Sequence, residues 1–76
     1  MSEQYIAAQK LTIQQDQAGQ RLDNFLFARF RKLPKTRIYK MLRKGEVRVN
    51  GGRVKQSYRI QSGDLLRLPP VKLEIS

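Results

Sequence analysis

Arg31-Lys32-Leu33-Pro34-Lys35-Thr36-Arg37-Ile38-Tyr39-Lys40-Met41-Leu42-Arg43-Lys44 runs into Gly45-Glu46-Val47-Arg48-Val49-Asn50-Gly51, and the fold turns on this segment. Its first part holds seven basic residues and no acidic one. Leu33 precedes a proline and is pushed out of the α region, so one helix is expected to end there. Pro34 suits the first turn of a second helix. In that helix Ile38, Met41 and Leu42 fall at i, i+3 and i+4, the spacing of one buried face. Gly45 suits the residue just past its end, with Arg43 and Lys44 favourable at the negative end of the helix dipole. Val47-Arg48-Val49 then alternates as a half-buried strand, and Asn50-Gly51 is a strong hairpin signal.

Working outward, Leu22, Phe25, Leu26 and Phe30 mark one face of a preceding helix that begins near Gln20. Asp16 to Gly19 reads as a turn or helix start, and Leu11-Thr12-Ile13 as an edge strand. Residues 1–10 carry little signal and are expected to be an N-terminal extension. Beyond the hairpin, Arg53-Val54 begins the return and Ser62-Gly63-Asp64 is a second turn. Leu65 to Leu68 is a closing strand, stopped by Pro69-Pro70. Residues 71–76 read as the start of a linker or another short strand. The expected fold class is α+β, with two helices packed on a small, mostly antiparallel sheet spanning residues 11–70.

Seventy-six residues make one small domain with a thin core. Cysteine and histidine are both absent, which removes disulfides, thiolate metal sites, the commonest metal ligand and the usual general base. No cofactor or metal is expected. The balance of 16 Lys+Arg against 6 Asp+Glu gives a net charge of +10, which calls for an anionic partner. No apolar run approaches the ~18 residues of a spanning helix. Met1 to Tyr5 has neither a basic nor an apolar signal region, so a cytoplasmic setting is expected.

At ~100° per residue, Thr36, Arg37, Lys40, Arg43 and Lys44 lie opposite the apolar face of the second helix. The hairpin adds Arg48, Arg53 and Lys55, and Lys35 opens the helix. A solvated helix face ordinarily interleaves Glu with Lys for local pairing, and this one does not. Uncompensated repulsion in so small a domain favours nucleic-acid binding over a bland surface. A groove between helix and hairpin would follow a phosphate backbone, Lys and Arg meeting phosphates and releasing counterions. Thr36 either donates its hydroxyl to that backbone or caps the helix.

Phe25 and Phe30 read as core. Phe27 lies off the apolar face and is expected to meet the N-terminal strand or a neighbouring domain, ahead of stacking on a base. Tyr39 sits beside the basic face, and Tyr58 packs or supports the turn. Asn50-Gly51-Gly52 is first a turn, whose N–H groups are also able to meet a phosphate. Asp23, at the start of the first helix, reads as structural. No carboxylate sits with a nucleophile or base in a catalytic arrangement.

The ordered set Arg21-Leu22-Asp23, basic helix, Gly45-x-Val47-x-Val49-Asn50-Gly51, Ser57-Tyr58 and Gly63-Asp64 resembles the S-four RNA-binding domain, or alpha-L motif, over roughly Gly19 to Leu68. Gly19 through Leu26, Pro34-Lys35-Thr36, Ile38-Tyr39, Arg43 through Asn50 and Leu68-Pro69-Pro70-Val71 are further similar to the N-terminus of bacterial RluA-family pseudouridine synthases, above all their C-type subclass. Pro34-Lys35 stands where the broader domain often has Ser-Arg, as in that subclass. Gln56 stands where the broader domain often has proline.

The resemblance implies an alpha-L fold that binds structured RNA, 23S rRNA first, as a monomer. It also implies a separate catalytic domain in the same polypeptide, with the essential aspartate there. Arg21-Leu22-Asp23 matches that domain's motif only by letters, so catalysis is not carried onto Asp23. The implied whole protein is an rRNA pseudouridine synthase of which this chain is the targeting module. A stand-alone RNA-binding protein of the same fold is the alternative.

Overall fold

The structure is a computed structural model that describes residues 4–73. Parts of the expected N-terminal extension (residues 1–3) and linker (residues 74–76) lie outside the described residues. Six strands and two helices run in the order β1 (Gln4–Ile6), β2 (Gln9–Thr12), α1 (Leu22–Arg29), α2 (Lys35–Arg43), β3 (Arg48–Val49), β4 (Gly52–Arg53), β5 (Leu65–Leu68) and β6 (Val71–Leu73). A single 3₁₀ turn at Gln15–Gln17 precedes α1. The strands form one four-stranded sheet, ordered β2-β5-β3-β4, and one two-stranded sheet, β1-β6. Every pairing is antiparallel. The expected α+β architecture is present, with the Leu11-Thr12 strand at a sheet edge.

The core joins both helices to one sheet face. Leu22, Phe25, Leu26 and Phe30 from the first helical region meet Ile38, Met41 and Leu42 from α2 and Val49, Leu66 and Leu68 from the sheet. Each such side chain contributes about 1.5–3 kcal/mol when fully buried. Alternation is clean in β5, where Leu66 and Leu68 are buried and Leu65 and Arg67 exposed. That is the period-two pattern of a sheet with one face on the core and one in water.

The structure corrects the sequence reading in several places. The first helix ends at Arg29, four residues before Leu33. Phe30 leaves helical geometry at φ −111° and ψ 59°, and the Leu33 N–H donates to its carbonyl, forming a turn ahead of the proline. Pro34 occupies the cap position of α2 rather than its first turn, and no side chain caps this helix. Thr36 therefore does not cap it, because proline already holds the flanking position and Thr36 is the second helical residue. Residues 4–6 and 9–10, weak in sequence signal, are strand. Their order comes from partners at the far end of the chain: Gln4 pairs with Leu73, Tyr5 with Lys72, Ile6 with Val71, and Gln9 with Leu68.

Candidate nucleic-acid interface

The interface is built on the end of α2. Gly45 has φ +73°, a left-handed conformation that suits glycine. Its N–H donates to the Leu42 carbonyl, and the Glu46 N–H donates to the Met41 carbonyl. This pair of bonds is the Schellman arrangement, which satisfies carbonyls the helix leaves without partners. The chain then reverses into β3. Asn50 and Gly51, at φ +52° and +81°, form a two-residue turn of the primed type that hairpins favour. Val49 pairs with Gly52 and Arg48 with Arg53 across it.

Two hairpin arginines are tied back to the helix. Arg53 Nη2 donates to the Arg43 carbonyl at 2.8 Å, and Arg48 Nε donates to the Gly45 carbonyl at 2.9 Å. Each bond uses a single N–H of its guanidinium, and both arginines are exposed. They also satisfy carbonyls around the helix end with cations, the favourable sign there.

All nine residues expected to bind are exposed, but they divide among several places. Arg43, Arg53 and Lys55 line a groove of about 570 Å³ between α2 and the segment after β4, together with Tyr39, Leu42, Val54, Gln56 and Ser57. Thr36, Arg37 and Lys40 lie in a second hollow with Lys32 and Lys72. Arg48 lies in a third, with Glu46 and Arg67. Lys35 is drawn toward α1, where its Nζ stands 5.1 Å from the centre of the Phe27 ring. Lys44 is the C-cap of α2. The helix thus presents two basic flanks rather than one groove wall.

Phe27 is partly buried against the core. It packs edge-on against Tyr39, with ring centres 5.5 Å apart, and so joins α1 to α2. The Tyr39 hydroxyl donates toward Asp23 Oδ2 at 3.4 Å. Asp23 is buried, paired with Arg21 at 2.9 Å, and accepts the Asn24 N–H. Burial alone would raise its pKa, but the Arg21 guanidinium, the Asn24 N–H and the Tyr39 hydroxyl outweigh that and hold it below the usual carboxylate range. These contacts account for Asp23 as a structural residue.

Two features go beyond the sequence reading. The first is Asp64, buried behind the hairpin turn. Its carboxylate accepts the Tyr58 hydroxyl at 2.6 Å, the Gln61 N–H at 2.9 Å and the Asn50 amide at 3.0 Å. Burial again pushes its pKa up, and these three donors outweigh it and hold the group low. Asn50 returns the contact by accepting the Leu65 N–H on its side-chain oxygen. Tyr58 is bonded to the second turn through Asp64, and Asp64 locks that turn to the hairpin. The second feature is a row of cations across the sheet. Arg53 pairs with Arg48, Arg48 with Arg67, and Arg67 with Lys10. Residues directly opposite share a sheet face, and all four are exposed. The alternation of Leu66, Arg67 and Leu68 signals an outward Arg67, but only the register aligns it with the other three.

Among the described residues no helix is long and apolar enough to cross a membrane, and no group of three His, Cys, Asp or Glu could hold a metal ion. A family profile described as the S4 domain matches residues 20–66, more than half of the chain. Three relatives named ribosomal large subunit pseudouridine synthase C illustrate the similarity. That of Pasteurella multocida is 54% identical over 67 residues, 88% of this chain and 21% of the relative. That of Haemophilus ducreyi is 54% identical over 74 residues, 95% of this chain and 23% of the relative. That of Vibrio cholerae is 48% identical over 75 residues, 99% of this chain and 24% of the relative. The chain therefore spans between a fifth and a quarter of the length of these relatives. The glycine-capped α2, the Asn50-Gly51 hairpin and the second turn all lie within the matched span, and this chain belongs to the S4 domain family.

Proposed function

We propose that this chain is the RNA-binding module of a ribosomal large-subunit pseudouridine synthase, acting in the cytoplasm as a monomer. It holds a catalytic domain of the same polypeptide near target uridines of 23S rRNA. The observation that carries this reading is the helix–hairpin corner, where Arg53 is tied to the end of α2 and shares a groove with Arg43 and Lys55. A fixed guanidinium costs less ordering entropy on meeting a phosphate than a free one. RNA helices are recognised by shape and backbone position, a task that suits fixed cations on a rigid frame. The similarity to relatives named as such synthases, of which this chain spans a fraction, supports the placement beside a catalytic domain.

Lys35, Thr36, Arg37, Lys40, Arg43, Lys44, Arg48, Arg53 and Lys55 make the contact set. Lys and Arg meet phosphates, and the Thr36 hydroxyl, exposed and not capping, donates to the backbone. Catalysis belongs to the linked domain, since the buried Asp23 of this chain is engaged by Arg21, Asn24 and Tyr39.

Two measurements test the reading. The chain is titrated with transcribed 23S rRNA fragments across a salt series, and salt-sensitive binding is expected. The chain alone is then incubated with the same RNA and assayed for pseudouridine, and no turnover is expected. Absence of RNA binding overturns the module. Turnover by the chain alone overturns the division of labour.

A further inference from the structure

One row of the four-stranded sheet is entirely cationic. Read across the strands in spatial order, it is Lys10 on β2, Arg67 on β5, Arg48 on β3 and Arg53 on β4. The neighbouring row is Leu11, Leu66, Val49 and Gly52, where Leu66 and Val49 are buried in the core. The register thus buries Leu66 and Val49 of one row and leaves all four cations of the next exposed. Like charges placed directly opposite on a sheet are destabilising, and here three such pairs stand in succession. Arg21–Asp23 is an ion pair on the helical side of the domain, and among the described residues no carboxylate pairs with the row. Glu46 shares a hollow with Arg48 and Arg67 without pairing to either.

Strands lie about 4.8 Å apart, so four cations span roughly 14 Å perpendicular to the strands. The row is continuous with the helix–hairpin corner, because Arg53 belongs to both. It lines the groove beside Arg43 and also ends the row. Arg48 and Arg53 are held by their bonds to the Gly45 and Arg43 carbonyls, which fixes this end of the track.

We propose that the outer face of the sheet is a second RNA-contact surface. In it Lys10, Arg67, Arg48 and Arg53 carry a sugar-phosphate backbone from the α2 groove across all four strands. The inference rests on the RNA-binding reading above and adds Lys10 and Arg67 to the contact set. Contacts here are to phosphates, so they supply affinity and orientation without base sequence preference.

The test is the salt dependence of binding to an RNA hairpin, measured for the unaltered chain and for Lys10→Gln with Arg67→Gln. Glutamine keeps a long polar side chain and removes the charge. Each lost phosphate contact lowers the slope of log K against log salt by about 0.7–0.9, so the double variant is expected to lose about 1.4–1.8. Its melting temperature is expected to hold or rise, because repulsion within the row is relieved. A double variant with the slope of the unaltered chain overturns the sheet track and leaves the helix–hairpin reading standing. An unaltered chain with no salt-dependent binding overturns both. Should the double variant melt early, Lys10→Gln alone, on the edge strand, carries the same test with half the shift, and an unchanged slope there is equally decisive.

Discussion

The Arg53 guanidinium donates to the backbone carbonyl of Arg43 at 2.8 Å, across a space that only the missing side chain of Gly45 leaves open. A Cβ at Gly45 would stand 2.5 Å from Arg53 Nε. The same glycine sits at φ +73°. Gly45→Val therefore strains the backbone and displaces the arginine together. It is expected to destabilise the domain by more than about 1 kcal/mol in urea unfolding. A neutral midpoint would show that the helix end tolerates another geometry.

Charge on α2 is separable from its packing. Lys40 and Arg43 are exposed, while Ile38, Met41 and Leu42 on the other side are buried. Lys40→Ala with Arg43→Ala is expected to weaken RNA binding and flatten the salt slope by about 1.4–1.8, with little change in melting temperature. Because the two residues line different hollows, each single variant should contribute to the loss. Unchanged affinity at low salt would remove this helix face from the interface.

Asp64 holds three donors in a buried position. Asp64→Ala leaves those donors without their acceptor. It is expected to cost about 1–3 kcal/mol or more of unfolding free energy. Tyr58→Phe, which leaves the carboxylate the Asn50 and Gln61 donors, is expected to cost less. Equal stability of Asp64→Ala and the unaltered chain would show that the two turns are not coupled through this group.

Acid stability follows from the two buried carboxylates. Asp23 and Asp64 both have folded pKa values held below the ordinary range, by their donors against burial. Groups of this kind contribute stability above the unfolded pKa, about 4, and lose it as pH falls through the folded value. The melting temperature is expected to drop progressively below about pH 4. Asp64→Asn is expected to have a shallower drop from a lower starting point. A melting temperature that stays flat on acidification to about pH 2 would contradict the depressed values.

Legibility in the sequence tracked the range of the interaction. The buried face of α2, the Gly45 cap and the Asn50-Gly51 turn depend on residues within a few positions, and each was readable from spacing and residue type. The end of α1 was not, because Phe30 departs from helical geometry ahead of the proline that signals the boundary. β1 was invisible because Gln4, Tyr5 and Ile6 take their order from Leu73, Lys72 and Val71. The nine residues proposed to bind were readable as charge on a helix and a hairpin, but their division into separate hollows was not. The alignment of Lys10 and Arg67 with Arg48 was illegible for the same reason as β1: it comes from strand register alone. Phe27 and Tyr39 needed the crossing of the two helices to meet.

The antiparallel pairing of β1 with β6 brings the first and last described strands side by side. Gln4 and Leu73, the first and last described residues, thus lie opposite each other. A folded unit whose ends meet can be spliced into a host polypeptide, or removed from it, while the host spans only a small gap. By the same geometry, attachments made at Gln4 and at Leu73 leave the domain from one edge.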